Sequence, residues 1–168
     1  MAATFKIWQK IITINPNHLV AVKKINWLEI DVARNYVEIG DKLNKEGKIK
    51  EAVEYYKQAL TLNPQQPMPI YRTCGNNLIT LSKFEEAEKV FQQLKEIYPE
   101  LAEGYEGYAR VAHSLGNWNL ALVRWENAIN KFPENIGFAV QKGNVLINLS
   151  GFDEAEAIFQ RLIEKYLD

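Results

Sequence analysis

Apolar residues recur at helical spacing in four stretches of the chain: EAVEYYKQALTLNP (51–64), FEEAEKVFQQLKEIYP (84–99), WNLALVRWENAINKFP (118–133) and FDEAEAIFQRLIEKYLD (152–168). The small residues Ala52, Ala87, Ala121 and Ala155 align them, at spacings of 35, 34 and 34. Four residues after each Ala stands Tyr56, Phe91, Trp125 or Phe159, and three further on Ala59, Leu94, Ala128 or Leu162. Offsets of four and then three place these side chains on one helical face. Each stretch therefore predicts an amphipathic helix. Pro64, Pro99 and Pro133 end the first three, because proline cannot continue a helix and restricts the residue before it.

A second helical stripe precedes each of these. Tyr36, Ile39, Gly40 and Leu43 fall at i, i+3, i+4 and i+7, and Tyr71, Cys74, Gly75 and Leu78 match them. Tyr105, Tyr108, Ala109 and Ala112 follow, and the last set is weaker: Ala139, Lys142, Gly143 and Leu146. Glycine inside a helix costs about 1 kcal/mol against alanine, so three Gly and one Ala at equivalent places predict a helix crossing too close for a larger side chain. The segments NKEGK (44–48), LSK (81–83), LGN (115–117) and LSG (149–151) supply the turn residues between the paired helices.

Repeated helix pairs of this period resemble the tetratricopeptide repeat (TPR), whose signature is an aromatic, Leu-Gly and Tyr on the first helix, then Ala, Phe and Pro on the second. The resemblance covers residues 33–168 in four copies, 33–67, 68–101, 102–135 and 136–168, read as one continuous array. Cys74 and Lys142 depart from the usual Leu, and Leu167 stands where a Pro is expected. Residues 1–32 form an irregular front: FKIWQKIITINP looks like the second helix of an earlier copy, with Trp8, Ile11 and Pro16 in order, and HLVAVKKINWLEI (18–30) predicts one short amphipathic helix after this half-repeat. The resemblance implies an all-α, right-handed α-solenoid of helix-turn-helix hairpins whose first helices line a concave trough.

On those first helices, Arg72, Asn76, Arg110 and Asn144 point away from the apolar stripe and fall on one line along the array; Arg34, Asp41, Asn44, His113 and Asn148 share that polar face. In the family such residues hydrogen-bond the backbone of an extended peptide or hold its carboxylate. An Asn side chain has the donors and acceptor a peptide unit needs, and an Arg can grip a carboxylate with two bonds. The family's clamp for chaperone tails uses paired cations and Asn; here Val37 and Asp41 occupy the first pair, Glu106 stands where a cation is needed and Val140 lacks the second, so that clamp is not expected.

Composition narrows the function classes. With 168 residues, 47% hydrophobic and 24% charged, at a net charge of −1, the chain lacks the basic excess of nucleic-acid or membrane-surface binders. The single Cys74 forms no disulfide within the chain and suits a reducing, cytoplasmic setting. No signal peptide or membrane span is read at the N-terminus. His18 and His113 have no companion ligands for a metal, and His18 reads as a helix-start residue. Cys74 reads as a core residue, the acidic runs EEAE (85–88) and DEAE (153–156) as helix starts, and no phosphate loop or nucleophile elbow is present.

The expectation is a non-catalytic scaffold without cofactor or metal, binding a protein or peptide segment. Apolar residues at the two ends, Phe5, Trp8, Ile11 and Ile12 at the front and Ile158, Leu162, Ile163 and Tyr166 at the back, predict end-to-end association into a homo-oligomer or with further repeats. The alternatives are a self-assembling structural module, or a TPR region serving a larger glycosyltransferase or methyltransferase, which the Arg124-Trp125-Glu126 helix loosely resembles.

Overall fold

A computed structural model of the chain describes the backbone of residues 2–167 and the side chains of residues 5–165. Among the described residues there are nine helices and no strand: α1 (Ala2–Ile14), α2 (Leu19–Lys45), α3 (Ile49–Leu62), α4 (Met68–Thr80), α5 (Phe84–Ile97), α6 (Ala102–Ser114), α7 (Trp118–Lys131), α8 (Ile136–Asn148) and α9 (Phe152–Leu167). They fall into two compact units, Met1–Ile70 and Tyr71–Asp168.

In the first unit, α1 and α3 both pack on α2. The short helix expected at 18–30 is not separate: α2 runs unbroken for 27 residues. No Pro or Gly lies between Leu19 and Ala33 to break it, so the helix once nucleated propagates into the segment of Tyr36 and Gly40. His18 caps it, its Nδ1 accepting from the Ala21 N–H at 3.2 Å. Because α2 lies along α1, the side chains of Phe5, Trp8, Ile11 and Ile12 are half-buried; the exposed apolar residues at this end are instead Ile7, Ile14, Leu19, Val20, Trp27 and Ile30. The hairpin of α2 and α3 is locked where Tyr56, fully buried, lies against Gly40: a Cβ there would sit 2.8 Å from the Tyr56 ring.

In the second unit the same crossing recurs. A Cβ on Gly75 would meet Phe91 at 2.4 Å, and one on Gly143 would meet Phe159 at 2.5 Å. At the third crossing Ala109 and Trp125 are both fully buried. Phe91 is gripped from both sides, since a Cβ on Gly107 of α6 would also fall 2.1 Å from its ring. The small residues thus sit at helix crossings, as their cost in a helix predicts.

Four turns repeat one geometry. Gly47, Ser82, Gly116 and Ser150 take positive φ values of 75°, 57°, 70° and 63°. The next residue's N–H reaches back to the carbonyl five residues before it: Lys48 to Leu43, Lys83 to Leu78, Asn117 to Ala112 and Gly151 to Leu146, at 2.8–3.0 Å. This is the Schellman arrangement, which satisfies the last carbonyls of a helix and turns the chain into the next.

Lys142, where an apolar residue was expected, is reconciled by charge. Its Nζ lies 2.9 Å from Glu126 on α7 and 3.4 Å from Glu154 on α9. Burial opposes its charge, but the two glutamates outweigh that and raise its pKa above the ordinary 10.5.

Candidate functional site

The polar face of the second unit is built from α4, α6 and α8. Arg110 reaches from α6 to α4, its Nη1 donating to Asn76 Oδ1 at 3.2 Å and lying 3.9 Å from Glu106 on its own helix. Arg72, one turn before Asn76, is exposed on the same face. On α8, Asn144 is half-buried, and its backbone carbonyl accepts from Asn148 Nδ2 at 2.8 Å. His113 is half-buried and packs edge-on against Trp118, with ring centroids 5.0 Å apart.

Between α6 and α8 opens a pocket of ≈ 350 Å³, lined by Glu106, Arg110, His113, Ser114, Trp125, Asn135, Gly137, Phe138 and Gln141. Two residues predicted from sequence, Arg110 and His113, line it together. Arg34, Asp41 and Asn44 belong to the first unit and are described there: Arg34 pairs with Asp31 at 3.4 Å, Asp41 accepts from the Tyr56 hydroxyl at 2.8 Å, and Asn44 is half-buried near the end of α2. Ile158 and Leu162 are half-buried and Ile163 is half-exposed, while the side chain of Tyr166 lies outside the described residues.

Trp125 is fully buried, yet its indole Nε1–H meets no acceptor. Register explains why. The residue after each small crossing residue is Asp41, Asn76, Arg110 or Asn144. In the first unit that residue is an acid, and it accepts a hydrogen bond from the buried Tyr56 hydroxyl. In the third crossing it is Arg110, a donor with no acceptor to offer. Phe91 and Phe159, at the other two, need none.

The other side of α6 carries a basic and aromatic cluster. Arg124, buried in α7, forms an ion pair with Glu88 of α5, donates to the Tyr108 carbonyl at 2.9 Å, and lies 3.7 Å over the Tyr108 ring. Lys95 sits over the rings of Tyr105 and Tyr108, at 4.6 and 4.3 Å. Burial, with Arg124 nearby, lowers the Lys95 pKa, and burial raises that of Tyr108. Sequence reasoning did not single out Arg124 as a buried cation, nor Gln141 and Asn135 as pocket walls. The readable signals were a cation between the core residues Ala121 and Trp125, and a Trp where Tyr or Phe stands elsewhere. Cys74 is fully buried, as a core residue would be. Among the described residues no cluster of three or more His, Cys, Asp or Glu is placed to hold a metal, and no helix is long and apolar enough to cross a membrane.

Helix hairpins of this kind, crossing at small residues and turned by one repeated motif, define an all-α helical-repeat protein of the solenoid class. Residues 33–66 match the family described as tetratricopeptide repeat, so the chain carries a tetratricopeptide repeat at those residues. Over 80 residues, 48% of this chain, it is 30% identical to the protein O-mannosyl-transferase Tmtc3 of Drosophila melanogaster, and the match spans 8% of that relative's length. Among solved structures it is similar to the MamA protein, with a TM-score of 0.68 at 20% identity, covering 98% of this chain and 93% of that one. It is also similar to YrrB, described as a TPR protein with an unusual peptide-binding site, with a TM-score of 0.58 at 20% identity, covering 95% of this chain and 74% of that one.

Proposed function

We propose that the chain is a non-catalytic scaffold that binds an extended protein segment on the polar face of its second unit, with Arg72, Asn76, Arg110 and Asn144 contacting the segment. The observation that carries the reading is the Arg110–Asn76 bond at 3.2 Å, which draws two of these residues from different helices to one place beside the pocket. Paired amide and guanidinium groups on a half-exposed face suit peptide carbonyls and amides. The peptide-binding site named for YrrB supports the same use of a related fold.

Selection from a displayed library of random peptides on the intact chain, repeated on Arg72→Ala/Arg110→Ala, tests it. Selected peptides should lose about tenfold or more in affinity for the double variant, while its melting temperature changes little. Peptides that bind both proteins equally would show that the face is wrongly assigned. A second reading, an interaction module attached to a sugar-transfer enzyme, is favoured by the match to the O-mannosyl-transferase. Sequencing the full transcript decides it: an open reading frame limited to these repeats argues against that reading.

A further inference from the structure

Resting on the assignment of this face to a bound segment, we infer that the pocket between α6 and α8 receives the side-chain carboxamide of a glutamine or asparagine in that segment. Three features of the pocket select this chemistry.

The first is the orphan donor. Trp125 lines the pocket, is fully buried, and its Nε1–H has no acceptor. A buried donor left unpaired is costly, and a ligand that supplies an acceptor recovers that cost on binding. The second is the neutral charge balance. Glu106 and Arg110 both line the pocket, and Arg110 is already shared between Glu106 and Asn76. A carboxylate entering here gains Arg110 but is repelled by Glu106, and an ammonium gains Glu106 but is repelled by Arg110, so the balanced pair favours a neutral polar group over either ion. The third is the polar wall. Gln141, Asn135 and Ser114 offer both donors and acceptors, which an aliphatic side chain would leave unused.

A carboxamide satisfies all three: its oxygen accepts from the indole N–H, and its NH₂ donates to the Glu106 carboxylate. At ≈ 350 Å³ the pocket has room for the whole side chain.

The test is an NMR titration of the intact ¹⁵N-labelled chain with blocked pentapeptides, acetyl-Gly-Ser-Xaa-Ser-Gly-amide, where Xaa is Gln, Glu, Lys or Leu. The Trp125 indole signal is assigned by its loss in Trp125→Phe or, if that variant unfolds, by its perturbation in Gln141→Leu. The Gln peptide should move the Trp125 indole signal to saturation, with an affinity about tenfold above that of the Glu peptide. Glu106→Gln should erase most of that preference. If the backbone amides of Arg72, Asn76 and Arg110 move while the Trp125 indole does not, the indole is satisfied by water alone and the pocket inference fails, leaving the face assignment intact. Equal movement by the Glu or Leu peptide overturns the carboxamide. If no peptide at millimolar concentration moves any signal of this face, the face assignment fails as well.

Discussion

Tyr56 in the first unit and Trp125 in the second hold the same place in their hairpins, each fully buried against the small crossing residue of the preceding helix. One is closed and the other open. The Tyr56 hydroxyl finds Asp41 at 2.8 Å, while the Trp125 indole N–H finds nothing and lines a pocket. The turns of the two hairpins do not account for this, since both carry a left-handed Gly, Gly47 and Gly116. The difference lies in one register position, Asp41 against Arg110. A repeat keeps its packing residues because every copy needs the same crossing, and varies the residue beside the crossing because only there does a change leave the core intact. On the proposed reading, binding is set by the mismatch between a packing slot that recurs in each copy and the neighbour that differs between copies.

The largest effect should come from removing what stiffens the open hairpin. Arg124→Ala leaves Glu88 without its buried partner and strips the cation from Tyr108, for a loss of about 3 kcal/mol in urea unfolding. Replacing Arg124 and Glu88 together by Met should recover most of that loss, because neither charge then remains unpaired. A double variant as unstable as the single would mean the ion pair is not the cause.

Opening the closed slot comes next. Asp41→Ala removes the charged acceptor of the Tyr56 hydroxyl and should cost about 2 kcal/mol, most of it regained when Tyr56→Phe is added. If Asp41→Ala alone melts like the parent, the hydroxyl is satisfied elsewhere and the contrast between the slots weakens.

The reverse exchange sharpens the comparison directly. Arg110→Asp brings an acceptor to the register position facing Trp125, so stability should change by no more than about 1 kcal/mol. The Trp125 indole proton should become protected from exchange with solvent, and peptide binding at the pocket should be lost. Unchanged exchange would show that this position does not control the slot.

The turns provide a smaller contrast. Ser82 and Ser150 adopt the left-handed conformation that the two compared hairpins assign to Gly. Ser82→Gly and Ser150→Gly should each stabilise by roughly 0.5 kcal/mol, the relief of backbone strain being partly offset by the greater freedom of Gly in the unfolded chain. Calorimetric melting temperatures that fall instead would indicate that the Ser side chains contribute bonds of their own.

The smallest effect concerns Lys142. Its folded pKa is raised because Glu126 and Glu154 outweigh burial, so its stabilising contribution is complete below the ordinary value of 10.5. That contribution is lost as pH rises through the higher folded value. Melting temperature should therefore fall more steeply above pH 10.5 in the parent than in Lys142→Met; equal slopes would remove Lys142 from the account.

The amino-acid sequence by itself determined the helix pairs, their period, the small residues at the crossings and the positions of the turns. Each of these is a local matter: apolar spacing records which face of a helix is buried, and a Gly or Ser at the turn records a backbone angle. It also marked Asn76 and Arg110 as residues of one face, because register repeats with the helices. Only the tertiary structure decided that α2 runs unbroken through the segment expected to divide it, and that Phe5, Trp8, Ile11 and Ile12 lie partly covered against it. The same holds for Arg124, buried between α5 and the Tyr108 ring, and for Trp125, left with a donor and no acceptor. Hydrogen bonds and ion pairs between helices depend on whether two groups from different turns of the chain arrive within about 3 Å of each other, and periodicity along a sequence carries no record of that distance.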